Sequence, residues 1–202
     1  MKIVRYPHPS LRHVARPLPG IDKQVHLQIG AMLEAMYEGK GLGLAGPQVV
    51  YPFQVFVMNL EPEDQEKHSV FINPVIIDRK SSVEGEEGCL SFPGLYQRVR
   101  RAKTVTYRAY NLKGDLIEGT TVSDLESRVW QHEVDHLHGE LFIDKMGPIA
   151  RLAARNELKD FEREYRKAQE KGEIPADAEL KKMLEILQGG GTPEPPASGP
   201  VL

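Results

Sequence analysis

The sequence has little cysteine, no long apolar run and almost no excess charge. Its single cysteine, Cys89, excludes an intrachain disulfide and a zinc cage built from several cysteines. No apolar run approaches the roughly 18–20 residues of a membrane-spanning helix, and the first residues lack the apolar core of a signal peptide. The 26 basic and 29 acidic residues leave a net charge of -3. The protein as a whole therefore does not attract DNA or an anionic membrane electrostatically. These absences predict a soluble, cytoplasmic protein with neither a membrane nor DNA as a partner.

The 202 residues, of which 40% are hydrophobic, are enough for one good core and favour a single domain with appendages. Asp22 can cap a helix that stops at Gly39, and its apolar residues, Val25, Ile29, Met32 and Met36, fall at helical spacing. The glycine-rich segment 39–48, GKGLGLAGPQ, predicts a loop that passes close to another group.

Alternating and β-branched runs follow, at residues 53–59, 70–78, 104–110 and 115–121. Turn-like segments separate them, which favours antiparallel strands over βαβ units. A helix is then predicted from Ser123 to Gly139, because Ser123 and Glu126 have capping-box spacing and Gly139 is a good helix stop. The predicted fold class is α+β, with antiparallel sheets around this central helix.

The chain beyond Pro148 is predicted to be a helical extension, residues 149–188, added to a catalytic domain of residues 1–148. Its first helix carries one apolar stripe, formed by Ala154, Leu158, Phe161 and Tyr165, and a second short helix follows Pro175. Residues 189–202 are mostly glycine, proline and small residues, a composition that predicts a disordered tail.

The segment QHEVDHLHG, residues 131–139, indicates a metal site. His132 and His136 are four residues apart, so on a helix they lie about 6 Å apart on one face and can bind one ion. Glu133 lies about 100° around the helix, where it can reach a water on the ion without being a ligand. The pattern also arises by chance, so a third ligand decides. Cys89 is a candidate, although a lone cysteine is often only a small buried apolar residue.

Three segments together resemble the three motifs of the peptide deformylase family: GLGLAGPQ at 41–48, EGCLSFPG at 87–94 and QHEVDHLHG at 131–139. The resemblance covers roughly residues 1–150, including YPHPSLR near the start. There are two departures. Gly46 stands where the family motif has alanine, and His138 stands where aspartate is common; neither removes a catalytic group.

The resemblance implies a metal-dependent hydrolase that removes the formyl group from the N-terminal formylmethionine of new polypeptides and releases formate. The implied metal ligands are Cys89, His132 and His136, and Glu133 is the implied general base. The implied oxyanion donors are the Gln48 side-chain amide and the Leu90 backbone N–H. The expected cofactor is one divalent ion, Fe²⁺ first on resemblance, with Zn²⁺, Ni²⁺ or Co²⁺ possible in a preparation.

The implied substrate contacts lie in the same motifs. The backbone at Gly43 is expected to pair with the nascent formyl-Met polypeptide, because close approach requires a residue without a side chain. Leu42, Leu125 and Val129 are candidates for the methionine pocket, although ordinary core packing explains their spacing equally well. Glu87 and Arg101 are expected to form an ion pair that holds the cysteine segment.

The C-terminal helix carries a basic stripe, formed by Arg151, Arg155, Lys159 and Arg163. In the family a C-terminal helix can dock on the ribosome, and this stripe offers such a surface. Acidic residues between the basic ones favour a solvated face instead.

Two other functions are open at this point. A zinc endopeptidase also uses His-Glu-x-x-His with a glutamate base. It would recruit a downstream glutamate or histidine as third ligand, with Glu140, Glu157 and Glu162 as candidates. In a non-catalytic metal or peptide-binding module, Cys89 and the two histidines would only brace the fold, and Glu133 would have no role.

Overall fold

The structure is a computed structural model that describes residues 1–191. Its five α-helices are α1 (Lys23–Glu38), α2 (Asp124–Leu137), α3 (Pro148–Ala153), α4 (Arg155–Glu170) and α5 (Asp177–Gln188). Its seven strands are β1 (Gly43–Ala45), β2 (Val55–Met58), β3 (Ser69–Lys80), β4 (Val83–Gly88), β5 (Tyr96–Arg101), β6 (Thr104–Tyr110) and β7 (Leu116–Thr120).

The strands form two sheets, and every pair within them is antiparallel. The larger sheet has the order β1-β2-β3-β6-β7, and β4 and β5 form a separate hairpin. Helix α2 packs on the larger sheet through Trp130, which stacks on Tyr107 with ring centroids 4.0 Å apart and meets Phe56 and Phe71 edge-on. The predicted α+β class is confirmed.

The start of α1 also agrees with the sequence. The Val25 N–H donates to the Asp22 carboxylate at 2.9 Å, and Gly39 is the C-cap. The four apolar residues predicted to line this helix are all buried against β1 and β2.

Two segments differ from the prediction. The glycine-rich segment is not only a loop, because it contains β1 and a 3₁₀ turn at Gly46–Val49. Strand β1 exists because β2 offers a partner, with Gly43 opposite Met58 and Ala45 opposite Phe56, and such pairing overrides local propensity. The β4–β5 hairpin was not predicted at all, since VEGEEG has no apolar alternation.

Both predicted ends of α2 are confirmed. The Glu126 N–H donates to Ser123 Oγ, while the Glu126 carboxylate accepts from the Val122 N–H, one residue before the position a capping box uses. Gly139 has φ of 71°, and a Cβ there would lie 2.6 Å from the Arg12 carbonyl oxygen. Glycine is therefore required at this helix exit.

The C-terminal helices pack on the rest of the chain. Ala154 and Tyr165 of the predicted stripe are buried, and Leu158 and Phe161 are partly buried against Phe92 and its neighbours. Helix α5 packs Leu180, Met183 and Leu184 on Val50. Gly189–Gly191 hydrogen-bond to the end of α5, and the rest of the predicted tail, residues 192–202, lies outside the described residues. The division into domain, extension and tail stays a prediction.

The four residues of the basic stripe are all exposed, and Arg163 pairs with Asp160 at 2.8 Å. Within residues 1–191, no helix combines the length and the apolar character that crossing a membrane would require.

Candidate active site

Helix α2 and the residue after β4 bring three potential metal ligands together. His132 Nε2 and His136 Nε2 are 3.2 Å apart, and Cys89 Sγ lies 3.3 Å from His136 Nε2. Both imidazoles are buried, and the three ligand atoms all lie within 4.8 Å of one another. Cys89 directly follows β4, which is held against α2 by the contacts of Glu87 with His132 and Arg128.

This donor set fits a divalent ion. A tetrahedral ion with ligand distances of about 2.0–2.3 Å places its donor atoms about 3.3–3.8 Å apart, close to the spacings found here. Burial lowers the pKa of His132, but the charge of Cys89 and hydrogen bonds to Cys89 and Glu87 outweigh it and raise this pKa well above its usual value. Burial and the charge of His132 lower the pKa of His136. Two imidazoles and one thiol whose ligand atoms lie within 4.8 Å of one another are a donor set that suits one divalent ion.

Glu133 lies beside these donors but is not one of them. Its side chain is buried, and Oε2 has no hydrogen-bond partner among the described residues. Burial raises the pKa of Glu133 to about 7, which suits a group that exchanges a proton near neutral pH. The carboxylate lies against Gly43, where a Cβ would come within 2.5 Å of Oε1.

The predicted ion pair between Glu87 and Arg101 is confirmed, with Arg101 Nη2 donating to Glu87 Oε1 at 2.6 Å. His132 Nδ1–H donates to the same carboxylate at 2.7 Å, which fixes the imidazole with Nε2 toward Cys89 and His136. Burial alone would raise the pKa of Glu87, but hydrogen bonds from His132 and Arg101 lower it well below its usual range.

Arg128 is a second cation on this carboxylate, and the sequence did not reveal it. Its Nη1 donates to Glu87 Oε2 at 2.9 Å and to the Val99 carbonyl at 3.0 Å. Gly85 leaves the room for it, since a Cβ there would lie 2.7 Å from Arg128 Nη2. The sequence offered one signal for this role: Arg128 lies on the buried face of the predicted helix.

Replacing Glu87 by alanine should lower the free energy of unfolding of the metal-free protein by about 3–5 kcal/mol, the usual cost of breaking a buried ion pair. The reason is that Arg101 and Arg128, whose side chains are 5% and 10% exposed, would lose their shared carboxylate. Urea unfolding measures the change. The matched control is Glu118→Ala, which removes an exposed ion pair with Arg108 and should cost at most about 1 kcal/mol. Equal losses of unfolding free energy in the two variants would contradict the assignment of Glu87 as the buried carboxylate that Arg101 and Arg128 share.

Gln48 is placed as an amide donor beside the ligands. The Ala45 N–H donates to Gln48 Oε1 at 2.8 Å, which turns Nε2 toward Cys89 Sγ at 3.5 Å and Ser91 Oγ at 3.3 Å. Ser91 was not singled out in the sequence, although it lies two residues after Cys89. The Leu90 backbone N–H has no acceptor among the described residues. Two donors, an amide and a backbone N–H, are thus available near the thiol.

A cavity of about 680 Å³ opens in front of these groups. Its volume is within the range of small-ligand and peptide side-chain sites. The sequence-predicted residues that line it are Leu42, Gly43, Gln48, Cys89, Leu90, Leu125, Val129, His132 and Glu133. Val129 also belongs to the core, and Leu125 is 46% exposed at the mouth.

The rival third ligands lie elsewhere. Among residues 1–191, the group of cysteine, histidine and carboxylate side chains that could share an ion contains none of Glu140, Glu157 and Glu162. Glu140 pairs with Lys145, and Glu162 accepts from the Tyr6 hydroxyl. His138 does not belong to this group either, and its Nδ1 contacts the Val134 carbonyl.

The chain is similar to known proteins over most of its length. The sequence model of the family described as polypeptide deformylase matches residues 1–152. A peptide deformylase of Rhodopirellula baltica is 39% identical over 196 residues, which are 95% of this chain and 97% of that protein. Peptide deformylase 1 of Shewanella oneidensis is 41% identical over 158 residues, 78% of this chain and 93% of that protein.

Solved structures that are similar to this chain are also peptide deformylases. A crystal structure of peptide deformylase from Plasmodium falciparum has a TM-score of 0.79 and 36% identity, covering 82% of this chain and 97% of that one. An Arabidopsis thaliana peptide deformylase in complex with an inhibitor has a TM-score of 0.79 and 38% identity, covering 85% and 93%. With a family match over residues 1–152 and relatives of this identity and coverage, the chain belongs to the polypeptide deformylase family.

Proposed function

We propose that this chain removes the N-formyl group from the N-terminal formylmethionine of newly made polypeptides and releases formate. One observation carries the proposal: Cys89 joins His132 and His136 around one point, with the Glu133 carboxylate beside them in a cavity. Three protein ligands leave a coordination position open, whereas a structural site normally closes it with a fourth.

Cys89, His132 and His136 would hold one divalent ion. When bound, such an ion supplies Lewis acidity, which lowers the pKa of water and polarises a carbonyl oxygen. We expect Fe²⁺ as the native ion because of the family, although by affinity Zn²⁺ outcompetes Fe²⁺ at a site of imidazoles and a thiolate. Metal analysis of protein purified anaerobically distinguishes Fe²⁺ from Zn²⁺, Ni²⁺ and Co²⁺.

The substrate would bind as an added strand on β1. Among the described residues β1 pairs with no strand other than β2, so its other edge has no strand partner, and Gly43 of β1 lines the cavity. An extended peptide can hydrogen-bond to such an edge and place alternate side chains in pockets. The methionine side chain would lie against Leu42, Leu125 and Val129. Glycine at 43 keeps the Glu133 carboxylate in place, because a side chain would collide with it.

The chain's own groups supply the proton transfers and the oxyanion donors. Glu133 takes a proton from the water that attacks the formyl carbon. Gln48 Nε2–H and the Leu90 N–H donate to the oxygen that becomes negative, an interaction typically worth about 3–4 kcal/mol per donor. The C–N bond then breaks, and Glu133 returns its proton to the leaving amine. The products are formate and a free amino terminus.

Formate release tests the function and separates it from the two alternatives. The protein should release formate from formyl-Met-Ala-Ser and leave N-acetyl-Met-Ala-Ser and casein intact. Cleavage of casein would instead support an endopeptidase. Stoichiometric metal without turnover of any of the three would support a non-catalytic module.

The proposed cellular partner is the nascent formyl-Met polypeptide. Docking on the ribosome through the exposed basic stripe stays a prediction, as does the cytoplasmic location. The pairing of Arg163 with Asp160 supports the solvated-face alternative for that stripe.

A further inference from the structure

A second cavity, of about 330 Å³, lies between the N-terminal segment 2–8 and the C-terminal helices. Its volume is at the lower end of the range for small-molecule sites. Its apolar walls are formed by Ile3, Val4, Phe161, Ala168, Ile174 and Pro175. Apart from Ile3, which borders both, these wall residues do not line the candidate active site.

The charged residues around this cavity balance. Lys2, Arg5, Glu164 and Glu173 line it, and all four are exposed. Two cations and two anions leave no net charge at the opening, so the opening does not favour an ion of either sign. The cavity therefore favours an uncharged molecule.

His8 supplies an N–H donor at this cavity that has no acceptor in the described part of the chain. Its side chain lines the cavity, the residue is 5% exposed, and its Nδ1 accepts from the Ser10 N–H at 3.1 Å. Burial lowers the pKa of His8 to about 4, so the imidazole is neutral at pH 7. With Nδ1 acting as the acceptor, the single ring proton is on Nε2. By contrast, the hydroxyls of Tyr6 and Tyr165 donate to Glu162 and Asp177.

We propose that this cavity binds an uncharged, mainly apolar small molecule that carries one carbonyl acceptor, and that His8 Nε2–H donates to this carbonyl. The apolar walls bind the body of the molecule, and the single donor sets its orientation, as in most small-molecule sites.

Such a molecule would contact the N-terminal segment 2–8, which also hydrogen-bonds to residues of the candidate active site. The Val4 N–H donates to the Gln48 carbonyl at 2.9 Å, and the Tyr6 N–H donates to the Ser91 carbonyl at 3.0 Å. Occupancy of the second cavity should therefore move the amide NMR signals of Val4 and Tyr6, and more weakly those of residues next to Gln48 and Ser91.

Acetophenone and ethylbenzene are a matched pair of probes, because they have nearly the same shape and only acetophenone has a carbonyl. Each is titrated into the full-length, metal-loaded protein and followed by amide NMR. We expect acetophenone to shift the signals of Val4, Tyr6 and Ala168 and to bind about threefold to tenfold more tightly than ethylbenzene, the usual effect of one net hydrogen bond.

Two variants complete the test. His8→Ser keeps an acceptor for the Ser10 N–H, since serine is a good N-cap, and should bring the affinity ratio of the two probes to about one. Ala168→Phe fills the cavity and should abolish binding of both probes. If this variant does not fold, Ala168→Leu should weaken both.

The proposal is overturned if neither probe shifts these signals, or if both bind the native protein equally. It is also overturned if the ratio survives in His8→Ser, or if the variant at Ala168 binds both probes as tightly as the native protein does. None of these readouts uses formate release, so their outcome is independent of the proposed function.

Discussion

Replacing Glu133 by glutamine should reduce formate release from formyl-Met-Ala-Ser by about 10²- to 10⁴-fold, the usual contribution of a positioned general base. Glutamine has nearly the same shape but cannot accept the proton. The bound metal should stay stoichiometric, because the carboxylate is not among the three converging ligand atoms. Formate release and metal content are measured on the same preparation.

Glu140→Gln is the matched control, since it makes the same chemical change at an exposed carboxylate that pairs with Lys145. It should keep near-native turnover and metal. If Glu133→Gln loses its metal, Glu133 is a ligand or a structural support. If it keeps near-native turnover, another group takes the proton.

Replacing Cys89 by alanine should remove the metal first and the activity with it. Two imidazoles on one helix would then be the remaining protein ligands, and a divalent ion held by two ligands dissociates readily. We expect metal content well below stoichiometric after dialysis and formate release at background. His68→Ala, at an exposed histidine that neither lines the cavity nor belongs to the ligand group, should keep both. Stoichiometric metal in Cys89→Ala would mean that the thiol is not a ligand.

The sequence predicted α2 in detail because its signals are local. Ser123, the histidine spacing and Gly139 lie on one continuous helix, so their geometry follows from the helix alone. The approach of Cys89 to His136 does not follow from spacing, because the two residues are on different elements. Only the resemblance of three motifs implied it, and the 3.3 Å separation supports it.

The parts that were missed depend on distant partners. Strand β1 is stabilised by its pairing with β2, which a glycine-rich segment does not reveal. The β4–β5 hairpin places Glu87 inward between residues that are otherwise polar, so the sequence shows no apolar alternation. Arg128 could be assigned to Glu87 only after both elements were placed, because the contact spans 41 residues.

The claim that Cys89, His132 and His136 hold the ion while Glu133 stays free is tested most directly by X-ray absorption at the zinc K-edge. The spectra are recorded on the zinc-loaded native protein and on zinc-loaded Glu133→Ala. We predict one sulfur at about 2.3 Å and two nitrogens at about 2.0–2.1 Å in both proteins. A first shell without sulfur, or one that loses an oxygen when Glu133 is replaced, would contradict the claim.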